Sequence, residues 1–63
     1  MTMISVNSTA IAAVGYDGYT LTVEFNGGRA YDHPGVPEWV YHEFMSAPSM
    51  GAYYNRHIRG KYR

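Results

Sequence analysis

Val14-Gly15-Tyr16-Asp17-Gly18-Tyr19-Thr20-Leu21-Thr22-Val23-Glu24-Phe25 is the stretch whose reading decides the fold. Apolar and small or polar residues alternate on both sides of Asp17-Gly18, the pattern of two half-buried antiparallel strands. Asp-Gly between such runs is a strong two-residue hairpin signal, because both positions of a type I′ turn take positive φ. That turn predicts Tyr16 opposite Tyr19, Val14 opposite Leu21 and Ala12 opposite Val23 on one large apolar face. Gly15 then lies opposite Thr20 and Ala13 opposite Thr22 on the other face, which is small and polar. Ile11 falls out of phase, which predicts a bulge near Ala12–Ala13 or a bend before it.

Asn26-Gly27-Gly28 marks a second turn, into a third strand from Arg29 to His33. Its register has two solutions. A two-residue loop sends Arg29, Tyr31 and His33 to the Thr20/Thr22/Glu24 face as an open aromatic and cationic platform, and points Asp32 at Leu21. A three-residue loop with a glycine bulge turns Tyr31 and His33 inward beside Val23 and Leu21, and Asp32 outward. Burying an unpaired carboxylate costs several kcal/mol, which favours the three-residue loop.

Pro34-Gly35 breaks the strand, and Pro37 suits the first turn of a helix, where a missing N–H costs nothing. Val36, Val40, Phe44 and Ala47, with Trp39 beside them, form one apolar stripe, predicting a helix from about Pro37 to Ser46. Pro48 ends it. Ser49 reads as the N-cap of a second helix running to about Arg59, with Gly60 as its stop. Met50, Tyr53, Tyr54, His57 and Ile58 form its expected buried side, and Gly51 permits close approach to the sheet. Residues 1–7 show no periodicity and read as a lead-in or short edge strand. The expected fold is α+β: a three-stranded antiparallel meander followed by two short helices packed on one face, in a single domain over residues 1–63.

The 63 residues include ten aromatics and no cysteine. A chain this small buries only about 60% of its unfolded surface. Without disulfides it needs a dense aromatic core, an oligomer or a ligand. The face of Ala13, Gly15, Thr20, Thr22 and Ala30 is flat enough for close approach by another copy, so a homo-oligomer is expected. The aromatic content excludes a disordered tail. The absence of any long apolar run excludes a membrane span and a signal peptide, and the size leaves no room for a second domain. A cytoplasmic setting, in a bacterial or phage-infected cell, is expected. Formal charge is zero but lopsided. Asp17, Glu24, Asp32, Glu38 and Glu43 face one basic residue, Arg29, up to residue 55. Arg56, Arg59, Lys61 and Arg63 follow with no acid. A neutral body with one cationic segment suits a small anionic ligand better than a long polyanion.

Little in the chain points to catalysis. His33, His42 and His57 lie in three different elements without paired spacing, so no metal site is expected. The serines occupy no nucleophile elbow, and Gly27-Gly28 joins antiparallel strands instead of leading into a helix as phosphate loops do. Tyr53-Tyr54-Asn55-Arg56-His57-Ile58-Arg59 is the most loaded stretch. Arg56 and Arg59 on one helix face near a tyrosine could clamp phosphate and stack on a base. Equally, Tyr53 and Ile58 could pack inward while the arginines favour the helix C-terminal dipole.

Ser8, Ile11, Gly15-Tyr16-Asp17, Leu21-x-Val23-x-Phe25, Gly28, Tyr31, Val36-Pro37, Val40-Tyr41, Ala47, Ser49, Gly51, Tyr53, Asn55 and Ile58 together resemble the KTSC domain, from about Asn7 to Tyr62. That module is named for its place at the C-terminus of some lysyl-tRNA synthetases, and it also stands alone in bacteria and phages. The family's central Tyr-x-Tyr is here Tyr31-Asp32-His33, so the second ring is an imidazole. The resemblance implies neither catalysis nor a cofactor; RNA binding is suggested by the synthetase association. The expectation is a non-catalytic module for a nucleotide-type ligand, either a free nucleotide signal that could be sequestered or a short single-stranded RNA. Its expected contacts are Arg29, Tyr31, His33, Tyr54, Asn55, Arg56 and Arg59. The alternative is a homo-oligomeric protein–protein interaction module, and an enzyme is the least favoured class.

Overall fold

The computed structural model describes residues 2–62. Met1 and Arg63, the latter counted above among the terminal cations, lie outside the described residues. Four strands, β1 (Met3–Ser5), β2 (Ile11–Tyr16), β3 (Leu21–Phe25) and β4 (Ala30–His33), precede α1 (Glu38–Ser46) and α2 (Met50–Tyr53). A π-helical turn, Tyr54–Ile58, continues α2. The strands form one antiparallel sheet in the order β1-β2-β3-β4. The α+β class and the helices after the sheet are as expected, but the strand count rises from three to four. The added strand is the short edge strand, one of the two readings of the first residues: Met3, Ile4 and Ser5 pair with Gly15, Val14 and Ala13. Three residues are too few to show periodicity, yet they satisfy the free edge of β2.

The first hairpin keeps its faces and shifts its register by two. Tyr16 pairs with Leu21, Gly15 with Thr22 and Val14 with Val23. A type I′ turn would need positive φ at Asp17, and among the described residues only glycines have it, Gly18 at 96°. Asp17 instead accepts from the Tyr19 and Thr20 amides at 2.9 and 2.7 Å, an Asx turn that lengthens the loop to four residues. Because side-chain direction has a period of two, a two-residue shift leaves Val14, Leu21 and Val23 on the core face. Tyr19, expected on that face, is lifted into the loop and is 64% exposed, while Thr20 leaves the strand altogether. The irregularity expected near Ala12 is present, between Ile11 and Ala13.

Gly28, at φ 90°, closes a three-residue loop in which Phe25 N–H donates to Arg29 O at 2.7 Å. Val23 therefore opposes Tyr31, Leu21 opposes His33, and Asp32 points outward, accepting from the Thr22 hydroxyl at 2.7 Å.

Both helices pack on one face of the sheet. Ile11, Val14, Leu21 and Val23 meet Val36, Val40, Phe44, Met50, Tyr54 and Ile58 in a single core. Tyr16 fastens the sheet to α1 and to the chain before it: its ring stacks on Tyr41 at 4.6 Å and its hydroxyl donates to Val36 O at 2.5 Å. Trp39, expected beside the α1 stripe, is 62% exposed. Ser49 caps α2 as read, accepting from Ala52 N–H at 3.3 Å. A Cβ on Gly51 would lie 3.5 Å from Ala10 Cβ, ordinary contact that leaves little room for anything larger. The second helix is shorter than expected. It widens at Tyr54, where Arg59 N–H donates to Tyr54 O across five residues at 2.8 Å, and ends at Ile58. His57, expected inward, is exposed.

Two measurements check the turns. Gly28→Ala should cost ~1–2 kcal/mol for forcing an L-residue into the left-handed region, whereas Gly27→Ala should stay within about 0.5 kcal/mol of the parent or gain slightly. Equal melting points for the two variants would exclude this turn. The amide bonds of Thr20 and Tyr19 hold the Asp17 carboxyl below its usual pKa. A native pKa below the unfolded one contributes stability that is present above the unfolded value and lost as pH falls through the native one. Below pH ~4 the wild-type melting temperature should therefore fall more steeply than that of Asp17→Asn, which keeps an acceptor oxygen but cannot be protonated. Parallel curves would contradict this role for Asp17.

Candidate functional site

Beyond the end of the helical cover, the inner face of β3 and β4 meets the π turn across a cleft of about 550 Å³, within the ~300–1,000 Å³ of small-molecule sites. Phe25, Gly27, Arg29, Tyr31, His33, Tyr54, Asn55 and Arg59 line it. The register set by the Gly28 loop brings Tyr31 and His33 to this side, and β3 adds Phe25. The π turn adds the rest. Winding five residues per hydrogen-bonded turn places Arg59 over Tyr54, and Asn55 follows Tyr54 onto the rim.

The floor is rigid. His33 and Tyr54 are 8% and 6% exposed. Tyr54 meets Phe25 edge-on at 5.1 Å and His33 at 5.3 Å. His33 Nε2 lies 2.8 Å from the Tyr54 hydroxyl, and Nδ1 lies 2.7 Å from Tyr62 O. A carbonyl oxygen only accepts, so Nδ1 carries a proton, and in the neutral imidazole Nε2 accepts from Tyr54 O–H. Burial raises the Tyr54 phenol pKa, the Arg59 charge partly offsets this, and Tyr31 adds to it. The walls, by contrast, are open. Tyr31 is 46% exposed and meets Phe25 edge-on at 5.8 Å; Arg29, Asn55 and Arg59 are exposed as well. No carboxylate is among the lining residues, so the two guanidiniums give the cleft a positive field.

Six of the seven expected contacts, Arg29, Tyr31, His33, Tyr54, Asn55 and Arg59, thus converge on one cleft. Arg56 does not. Placing it beside Arg59 on one face assumed α-helical winding, and the π turn separates them. Phe25 and Gly27 line the cleft but were read only as a strand end and a turn. The alternation Leu21-x-Val23-x-Phe25 already carried the signal for Phe25, which extends the apolar row past the helices. Outside the cleft, burial and a 2.9 Å bond to Glu43 push the Tyr53 phenol up to about 12. No group of three His, Cys, Asp or Glu that could hold a metal occurs among the described residues.

The KTSC domain family matches residues 7–62, nearly the whole described chain. The chain belongs to the KTSC domain family. A KTSC domain protein from Yersinia pestis has the same fold at a TM-score of 0.93 and 34% identity, over 98% of this chain and 90% of that one. A lysine–tRNA ligase of Nostoc punctiforme is 41% identical over 44 residues, 70% of this chain but 8% of the ligase. The KTSC domain therefore corresponds to a small part of that enzyme's length. A protein of Tsukamurella paurometabola is 35% identical over 97% of this chain and 94% of its own length. The KTSC domain is thus a small module, found both on its own and within a much longer chain. Among its described residues no helix is long and apolar enough to cross a membrane.

The cleft's floor and wall should respond differently to mutation. His33→Leu leaves the Tyr54 hydroxyl and the Tyr62 carbonyl without partners and should destabilise by about 2–4 kcal/mol. Tyr31→Ala removes a half-exposed ring and should cost about 1 kcal/mol. Chemical denaturation measures both; a larger loss for Tyr31→Ala would place that ring in the core.

Proposed function

We propose that this KTSC domain is a non-catalytic module that binds a nucleotide, free or at an exposed end of a short single-stranded RNA. The observation that carries the reading is the convergence of three aromatic rings, two arginines and an asparagine on one cleft lined by no acid. Phe25 and Tyr31 offer faces or edges on which a base can stack, and base–aromatic stacking is worth ~1–3 kcal/mol. Arg29 and Arg59 offer planar donor pairs for phosphate oxygens. Support for an RNA setting comes from the lysine–tRNA ligase relatives, in which a matching segment accompanies an enzyme that acts on tRNA. The non-catalytic part rests on the floor: both His33 nitrogens are committed to structural hydrogen bonds, and no carboxylate stands beside them as acid or base.

A second reading, an interaction module between copies, is favoured by the outer sheet face. Met3, Gly15, Thr22 and Asp32 form one row and Ser5, Ala13, Glu24 and Ala30 the next, and both helices lie on the opposite side.

Titration with nucleoside monophosphates and with RNA tetramers separates these readings. Arg59→Glu should abolish binding, while Arg56→Glu, outside the cleft, should change affinity less than about threefold. Phosphorylated RNA ends binding far more tightly than monophosphates would identify RNA as the ligand; the reverse order would identify a free nucleotide. If no nucleotide binds, and sedimentation shows a dimer that Ala30→Arg, at an exposed position of the outer sheet face, dissociates, the interaction module is correct instead.

A further inference from the structure

The rings of the cleft run edge to face in one row. His33 meets Tyr54 at 5.3 Å, Tyr54 meets Phe25 at 5.1 Å and Phe25 meets Tyr31 at 5.8 Å, with planes 67°, 79° and 69° apart. His33 and Tyr54 are buried, and Phe25, met by a ring on each side, packs partly against the core. Tyr31 ends the row. Its one ring contact among the described residues is the one with Phe25, and an edge-to-face contact covers at most one face of a ring. At 46% exposure it is the only exposed ring of the row. Phe25 and Tyr31 cannot enclose a base between them. A sandwiched base needs two parallel rings about 7 Å apart, twice the ~3.5 Å contact distance, whereas these two planes are 69° apart. The cleft therefore presents a single stacking platform, with Arg29 and Arg59 on the same lining.

We propose, resting on the nucleotide-binding reading, that the cleft accepts one base, stacked on Tyr31, and that this platform selects purines over pyrimidines. With one platform, a base contributes in proportion to the area it lays on the ring. A purine covers the phenol with two fused rings and a pyrimidine with one. No second ring compensates the smaller base. The phosphate contacts of Arg29 and Arg59 are common to both, so the difference in stacking passes into affinity.

Calorimetric titration with the four nucleoside monophosphates should show both purines binding roughly fivefold more tightly than both pyrimidines. Tyr31→Leu keeps apolar bulk against Phe25 but has no ring face, and should bring all four within about twofold of one another. Tyr31→Phe should keep the wild-type ratio, because the hydroxyl takes no part. Of the two mixed 5′-phosphorylated dinucleotides of adenosine and cytidine, at least one should match the all-adenosine one within about twofold. Loss in both would reveal a second platform and overturn the single-base proposal. Should Tyr31→Leu fail to fold, magnetic resonance of the wild type with adenosine monophosphate decides: the base protons must contact the Tyr31 ring, and contacts confined to Phe25 overturn the proposal. Equal affinity of the four monophosphates, or preference for pyrimidines, also overturns it, while leaving the nucleotide reading intact if Arg59→Glu still abolishes binding. Failure of every nucleotide and of RNA to bind removes the nucleotide reading itself, and this selection with it.

Discussion

The imidazole of His33 is the point on which the site depends. It sits on an edge strand and is nonetheless almost wholly buried, because both of its nitrogens are bonded, one to the π turn and one to the chain beyond it. A buried ring with one nitrogen unpaired would carry a desolvation cost of ~1–3 kcal/mol. The two bonds hold three segments together: β4, the turn at Tyr54, and the segment at Tyr62. Those segments form the floor of the cleft and one side of it. An imidazole has two polar edges and so bridges two elements here, where a phenol would present one hydroxyl.

Much of the fold was legible in the sequence because periodicity survives errors in turn geometry. The Asp17 carboxylate captured two amides and added two residues to the loop, yet Val14, Leu21 and Val23 stayed in the core. The second hairpin was read correctly for an energetic reason: the competing register would have buried Asp32. The first strand was not legible as a required element, since Met3–Ser5 carry no pattern of their own and are defined by the edge they complete.

The site was legible to the extent that its residues lie on regular elements. Strand parity alone carries Tyr31 and His33 to the same side, and Tyr54 follows from the apolar spacing of its helix. The place of Arg56 was not legible because no propensity distinguishes a π turn from an α turn, and the burial of Tyr54 and Ile58 four residues apart fits either winding. Tyr31 shows a different limit. Its direction was read correctly, but inward on an edge strand is not the same as covered, and the helices end before reaching it.

The brevity of the outermost strands bears on how the protein behaves in a crowded solution. The sheet ends in a strand of three residues on one side and four on the other. An open edge is a template for fibril growth only where enough consecutive amides line up to hold a foreign strand in register. Three or four residues hold it weakly, and Asp32 adds a charge on β4. A domain with few ionic groups and many tyrosines would otherwise be prone to coalesce. Short, interrupted borders let it keep an aromatic surface exposed for recognition without offering that surface's neighbours a seam along which to polymerise.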